Sequence, residues 1–264
     1  MATHAVALDL PRTRPSQARI HWNEVRFEIL RLSRNRSYVF STFGFPILFY
    51  LLFGVTNRSV NFQGHTIARY LLAGYACFAA MGSSLFGIGA TLAFERTNGW
   101  LELKRTSPMP ATAYLLAKLC VSITFAVCIT SLLIILGTAM AGVQISAVEA
   151  LRLLVVVTIG VVPFASLGLL LGLLMPANAA PGVINLVYLP LSFCGGLWMP
   201  IESLPHWLQS LAHCLPSFWF SRLALRSLGY SSSSPLVAWA WLAGYTILFL
   251  LAAAFIFRRQ EAQA

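Results

Sequence analysis

The sequence predicts an all-α integral membrane protein with six transmembrane helices, and three observations support this. The chain of 264 residues is 58% hydrophobic and only 10% charged, whereas soluble domains carry about 25% charged residues. Its charges are clustered, so that long charge-free stretches separate them. These stretches are continuously apolar rather than alternating, which favours helices over the strands of a membrane barrel.

The limits of the charge-free stretches define the spans, because a spanning helix needs about 20 apolar residues. The stretch between Arg152 and Glu202 is long enough for two spans, and a turn-rich segment from Met175 to Gly182 divides it. The predicted spans cover about residues 37–56, 70–94, 117–141, 153–175, 179–199 and 236–257. Together they form a six-helix transmembrane domain over residues 36–258.

The basic residues predict the orientation in the membrane. Both termini lie on one side if there are six spans, and the side richer in Lys and Arg is cytoplasmic. Of the 18 basic residues, the predicted outer segments hold only five, Arg58, Arg69, Arg152, Arg222 and Arg226. The remaining 13 fall in the predicted inner segments. We therefore expect cytoplasmic termini, and the net charge of +10 reflects orientation and lipid headgroups. No nucleic-acid partner is predicted, because the basic residues form no compact domain.

The segment before the first span divides into two parts. Residues 1–17 are polar, contain Pro11 and Pro15, and are predicted to be a disordered cytoplasmic arm rather than a signal peptide. Residues 18–35 are predicted to be an amphipathic helix at the membrane interface, with a calmodulin-like target helix as the alternative. Its apolar arc comprises Trp22, Val25, Ile29, Leu30 and Leu32, and its polar arc comprises Asn23, Glu24, Glu28, Arg31 and Arg34.

The long outer segment at about 200–235 is predicted to contain two short helices. An apolar stripe at helical spacing marks the first helix, Pro216 ends it, and an aromatic-rich run marks the second. The stripe consists of Leu204, Trp207, Leu208 and Leu211. We expect a helical hairpin that dips into the outer leaflet, although an interfacial aromatic belt explains the same residues.

The sequence lacks the residues that several functions require. The chain has no Gly-Lys dipeptide, and therefore no Walker A motif for its own ATP site. The spans hold no charged residue at mid-depth, which proton- or sodium-coupled carriers usually need. No metal-ligand spacing or catalytic pair is recognisable, so we predict neither an enzyme nor a bound cofactor.

Gly168 and Gly172 would allow two helices to pack closely, within the chain or between copies.

The predicted cytoplasmic loop between spans two and three, residues 95–110, is the most informative segment. Trp100 and two leucines lie among several charges in this short loop. Apolar anchors flanked by charges are typical of a short helix that docks into a groove of another protein. A membrane-facing loop with a Trp at the interface is the alternative.

This loop resembles the cytoplasmic coupling element of the ATP-binding-cassette (ABC) type-2 transport permeases, which include daunorubicin-type drug-resistance permeases and polysaccharide and lipid export permeases. The matching residues are Glu95, Arg96, Gly99, Leu101, Glu102, Leu103, Ser107 and Pro108. The outer segment is similar at Pro200, Leu204, Pro205 and Leu211, and Pro216 lies between its two helices. The resemblance covers nearly the whole chain.

The resemblance implies the membrane subunit of an exporter in a bacterial inner membrane. Its cargo would be a lipophilic drug, an antibiotic, a lipid or a lipid-linked glycan. Two permease copies, expected as a homodimer, would pair with two copies of a separate ABC ATPase subunit that binds ATP and Mg. An ATP-independent channel or scaffold is the alternative.

The resemblance also assigns roles to particular residues. Glu95 and Arg96 would close span two and brace the coupling loop. The segment from Gly99 to Arg105, with Trp100 and Glu102, would sit in a cleft of the ATPase. Helix 18–35 would form a second contact with it.

Overall fold

The computed structural model describes residues 16–100, 111–230 and 234–261, and this part of the chain is almost entirely helical. Two short antiparallel strands, β1 (Asn61–Phe62) and β2 (His65–Thr66), form a hairpin after the second helix. The helices, in chain order, are α1 (Gln17–Arg34), α2 (Arg36–Val55), α3 (Ile67–Thr97), α4 (Ala111–Met140), α5 (Ala147–Leu174), α6 (Ala180–Cys194), α7 (His206–Ala212), α8 (Pro216–Ser227) and α9 (Pro235–Glu261).

The prediction of a multi-pass helical membrane protein is confirmed. Within the described residues, α2, α3, α4, α5 and α9 are each long and apolar enough to cross a membrane. Helix α6 is apolar but has only 15 residues, about 22 Å at 1.5 Å per residue, against an apolar thickness of about 30 Å. It ends earlier than the predicted span at 179–199 because Gly195 and Gly196 follow Cys194. Gly196 has a φ of +74°, which turns the chain out of the helix.

Helix α3 forms the centre of the bundle. From Ala68 to Leu85 all of its residues except Arg69 are buried, because its many small residues let other helices approach closely. At Gly74 an added Cβ would overlap the Leu197 carbonyl. Gly168 and Gly172 of α5 lie against the backbone of α3 near Gly89. The glycine pair therefore serves packing within the chain.

The hairpin before the last helix is partly embedded in the bundle. Ten residues of α8 are buried, and the ring of Phe220 packs 5.5 Å from that of Phe164 in α5. Helix α7 remains at the surface, where Trp207 is 69% exposed. Only Trp207, Leu208 and Leu211 of the predicted apolar stripe lie on α7, and the stripe divides into a buried and an exposed set. Leu204 and Leu208 are buried with Pro200 and Pro216, whereas Trp207, Leu211 and Pro205 are exposed.

Candidate functional site

Four charged side chains meet where α1, α3 and α4 come together, and we call them the ion cluster. Glu28 and Arg31 lie on α1, Glu95 near the end of α3, and Lys118 near the start of α4. Glu28, Glu95 and Lys118 are 4%, 0% and 2% exposed. The Arg31 side chain is 33% exposed. With two acids and two bases, the cluster is formally neutral.

Lys118 joins the two acids from different helices. Its ammonium nitrogen lies 2.9 Å from Oε1 of Glu28 and 3.1 Å from Oε1 of Glu95, and it also donates to Thr91 Oγ1 at 2.8 Å. The Arg31 guanidinium donates to the same two carboxylates, through Nη2 to Glu28 at 2.6 Å and through Nη1 to Glu95. The cluster therefore ties α1 to α3 and α4.

Glu95 is the most enclosed member of the cluster. Tyr114 donates its hydroxyl hydrogen to the second carboxylate oxygen of Glu95 at 2.6 Å, so both oxygens accept hydrogen bonds. A buried carboxylate is tolerated only when it is paired and hydrogen-bonded in this way. Although burial opposes the charge of Arg31, the nearby carboxylates of Glu28 and Glu95 outweigh it and raise the pKa of Arg31.

Helix α1 buries residues from both of its predicted arcs. Glu28 of the polar arc is buried, and Trp22 of the apolar arc is 67% exposed. Of the other predicted interfacial residues, Leu32 is buried, and Val25 and Ile29 are partly buried. The ion pair with Lys118 accounts for the burial of Glu28, since a buried carboxylate needs a cationic partner.

Arg96 fixes the end of α3 against the end of α5. Its guanidinium donates to the carbonyl oxygens of Leu173 and, at 3.1 Å, Met175. These carbonyls belong to the last turn of α5 and its cap, where no intrahelical donor remains. Arg96 thus acts as a side-chain cap of α5.

Gly99 ends α3 and sets the direction of the chain beyond it. Its φ is +73°, and its N–H donates to the Arg96 carbonyl at 3.2 Å. A left-handed residue just after a helix is commonly glycine, because a Cβ is strained there. Of the remaining predicted coupling residues, Leu101, Glu102, Leu103 and Pro108 lie outside the described residues.

Beside the ion cluster, a groove of about 990 Å³ runs between α2, α3 and α6. One end, which we call the α1 end, is bordered by Arg31 and by Trp100, whose ring is 45% exposed. The opposite end lies at Trp198. Arg31 is the only charged side chain among the described lining residues and belongs to both the groove and the ion cluster.

The chemistry of the groove changes along its length. The α1 end offers neutral polar groups from Asn35, Ser37, Ser41, Thr42 and Asn185. The opposite end is aromatic: ring centroids lie 4.8 Å apart for Phe49 and Trp198, 4.6 Å for Phe78 and Tyr188, and 5.5 Å for Phe78 and Trp198. Such a gradient suits an amphipathic molecule, with its polar part at the α1 end.

The sequence identifies only one of the four members of the ion cluster, Glu95, as a site residue. It places Lys118 at the border of the third span, and Glu28 and Arg31 on the polar arc of an amphipathic helix. A signal was present, because Lys118 falls just inside the predicted span at 117–141 and needs a partner there. Glu28 could not be identified as that partner without the packing of α1 on α4.

Known proteins are similar in sequence to this chain over most of its length. A family model described as "ABC-2 type transporter" matches residues 22–228, which include most of α1, the ion cluster, the groove and the hairpin. The curated "Putative transport permease YvfS" of Bacillus subtilis (strain 168) is 32% identical over 241 residues. That match covers 89% of this chain and 96% of the relative. The chain therefore belongs to the ABC-2 type transporter family of membrane transport permeases.

Proposed function

We propose that this permease is the transmembrane subunit of an ATP-driven exporter in a bacterial inner membrane, with both termini in the cytoplasm. It moves a lipophilic or amphipathic cargo outward, such as a drug, an antibiotic, a lipid or a lipid-linked glycan. A separate ABC ATPase subunit binds ATP and Mg, and this chain binds neither. Family membership and the distribution of basic residues support the proposal.

The ion cluster is the observation that carries the proposal. It joins α1 to the end of α3, from which the predicted coupling loop leaves at Gly99. Arg96 adds the end of α5 to the same assembly. A displacement of the loop by an ATPase would therefore move α1, α3 and α5 together, because separating them would leave buried charges unpaired.

The groove supplies one wall of a transport path. The helices α2 and α6 that border it carry the exposed apolar residues Phe45, Leu48 and Leu186, and we take the side between these helices as its open side. A second copy of the chain placed against this side would turn the open groove into an enclosed path. We therefore propose a homodimer around the groove, with one ATPase subunit below each copy.

The proposal is tested by co-expressing the chain with a cassette ATPase encoded beside its gene. The purified complex is reconstituted in lipid nanodiscs and vesicles, and ATP hydrolysis and cargo transport are measured. Gly99→Pro and Glu102→Arg are expected to abolish transport-coupled hydrolysis while leaving membrane insertion intact. Gly244→Ala is the matched control, because Gly244 has open space around it and lies far along the chain from the loop.

Normal coupling in both loop variants would contradict the docking role of the loop. Ion conductance by the chain alone, without ATP, would favour a channel. Failure to co-purify with any cassette ATPase would favour a scaffold.

A further inference from the structure

We infer that the α1 end of the groove binds the anionic headgroup of an amphiphile, and that Arg31 is the cationic partner of this headgroup. The inference rests on the proposed function, since the amphiphile would be the cargo or a mimic of it. To that function it adds the chemical class of the ligand, an anionic amphiphile, and a residue that determines specificity, Arg31.

The donor capacity of Arg31 is the first reason. A guanidinium group has five N–H donors. One on Nη1 binds Glu95 and one on Nη2 binds Glu28. The N–H of Nε and the second hydrogens of Nη1 and Nη2 meet no acceptor within 16–100, 111–230 or 234–261. One third of the side chain is exposed, and Arg31 lines the groove, so we infer that a ligand in the groove reaches these donors.

The arrangement of charge in the cluster is the second reason. Glu28 and Glu95 balance Arg31 and Lys118, yet neither acid belongs to the groove lining, and both are almost completely buried. A molecule in the groove therefore meets the positive group first and the acids behind it. A guanidinium stays protonated at all physiological pH values and matches the geometry of phosphate and carboxylate oxygens.

The rest of the groove fits the remainder of an amphiphile. Ser37 and Asn185 offer neutral hydrogen-bonding groups at the α1 end. Beyond them, apolar and aromatic side chains such as Phe49 and Trp198 provide a surface for an alkyl or flat apolar tail. The volume of about 990 Å³ lies at the upper end of ligand pockets, which range from about 300 to 1,000 Å³.

Photolabelling of the full chain in phosphatidylcholine nanodiscs tests the inference without any ATPase. The anionic probe is a 12-carbon alkyl phosphate with a diazirine in its chain, and the neutral probe is the maltoside of the same chain. Labelled positions are mapped by mass spectrometry to residues 35–49 and 181–198. We expect the phosphate probe to label these segments, and dodecyl phosphate to compete for the label at concentrations where inorganic phosphate does not.

The decisive variant is the double substitution Arg31→Gln with Glu28→Gln. It removes the cation from the groove but keeps the cluster neutral, because Lys118 and Glu95 remain as a pair. We expect the double variant to lose phosphate labelling about tenfold, as the loss of a charge-assisted hydrogen bond implies. Maltoside labelling should stay unchanged, which also shows that the groove is folded.

Two single substitutions serve as controls. Glu28→Gln keeps Arg31 and should retain phosphate labelling. Arg34→Gln removes an exposed arginine of the same helix that does not line the groove, and it should also retain labelling. Equal phosphate labelling of the wild type and the double variant would overturn the inference, as would equal competition by inorganic phosphate. Since no ATP is involved, that failure would leave the proposed coupling to an ATPase untouched.

Discussion

The ammonium nitrogen of Lys118 lies 3.1 Å from a carboxylate oxygen of Glu95, and both side chains are almost completely excluded from solvent. The two residues lie on either side of the predicted coupling loop, so the pair closes the base of that loop. The loop therefore leaves and re-enters the bundle at a fixed, charge-paired point.

The first prediction concerns the charge balance of this cluster. Lys118→Met leaves the carboxylates of Glu28 and Glu95 with Arg31 as their only cation among the described residues. Breaking a buried ion pair by removing one partner costs about 3–5 kcal/mol. We expect the free energy of unfolding in detergent to fall by this amount, measured by denaturant titration followed by tryptophan fluorescence.

A compensating substitution is the control for this prediction. Lys118→Met combined with Glu28→Gln leaves a neutral pair of Arg31 and Glu95, and it should recover most of the lost stability. If the double variant is as unstable as Lys118→Met alone, the loss arises from packing and not from charge.

The second prediction concerns the turn at Gly99. Its φ of +73° is strained for a β-branched residue but accessible to asparagine. We expect Gly99→Val to destabilise the end of α3 by about 1–2 kcal/mol and Gly99→Asn to have a much smaller effect. Hydrogen exchange of the amides in residues 94–100 measures the difference, and equal exchange in both variants would contradict the role of the turn.

The third prediction concerns the close approach of the Leu197 backbone to Gly74 of α3. A Cβ at Gly74 would overlap the carbonyl of Leu197, which is backbone and cannot rotate away. Overpacking of this kind typically costs about 1–3 kcal/mol or more. We expect Gly74→Ala to lower the melting temperature in detergent, while Gly244→Ala, which meets no neighbour, should leave it unchanged.

The fourth prediction contrasts two buried tyrosines. The Tyr188 hydroxyl donates to the Phe78 carbonyl at 2.9 Å, whereas the Tyr50 hydroxyl has no partner in the described part of the chain. Tyr188→Phe should therefore cost about 1 kcal/mol of unfolding free energy. Tyr50→Phe should be neutral or stabilising, because it removes a buried polar group that makes no hydrogen bond. The same denaturant titration measures both variants. A larger loss of unfolding free energy in Tyr50→Phe than in Tyr188→Phe would contradict the prediction.

The second helix of the outer segment shows what the sequence pattern alone predicts and what it leaves open. The aromatic run around Phe218 and Trp219 identified a second short helix, and α8 occupies Pro216–Ser227. Its insertion against Phe164 did not follow, because an aromatic-rich stripe suits a lipid interface and a protein interior equally well. The difference depends on Gly160 of α5, which makes room for the Phe220 ring.

The sequence by itself determined the multi-pass helical membrane class, because lipid forces apolar residues into continuous runs and leaves the few charges visible. Only the tertiary structure decided what those charges do. Glu28, Arg31, Glu95 and Lys118 come from three helices, and their cost of burial is offset because each charge meets an opposite one. Long-range pairing of this kind has no period in the chain, so it becomes visible only once α1 lies against α4.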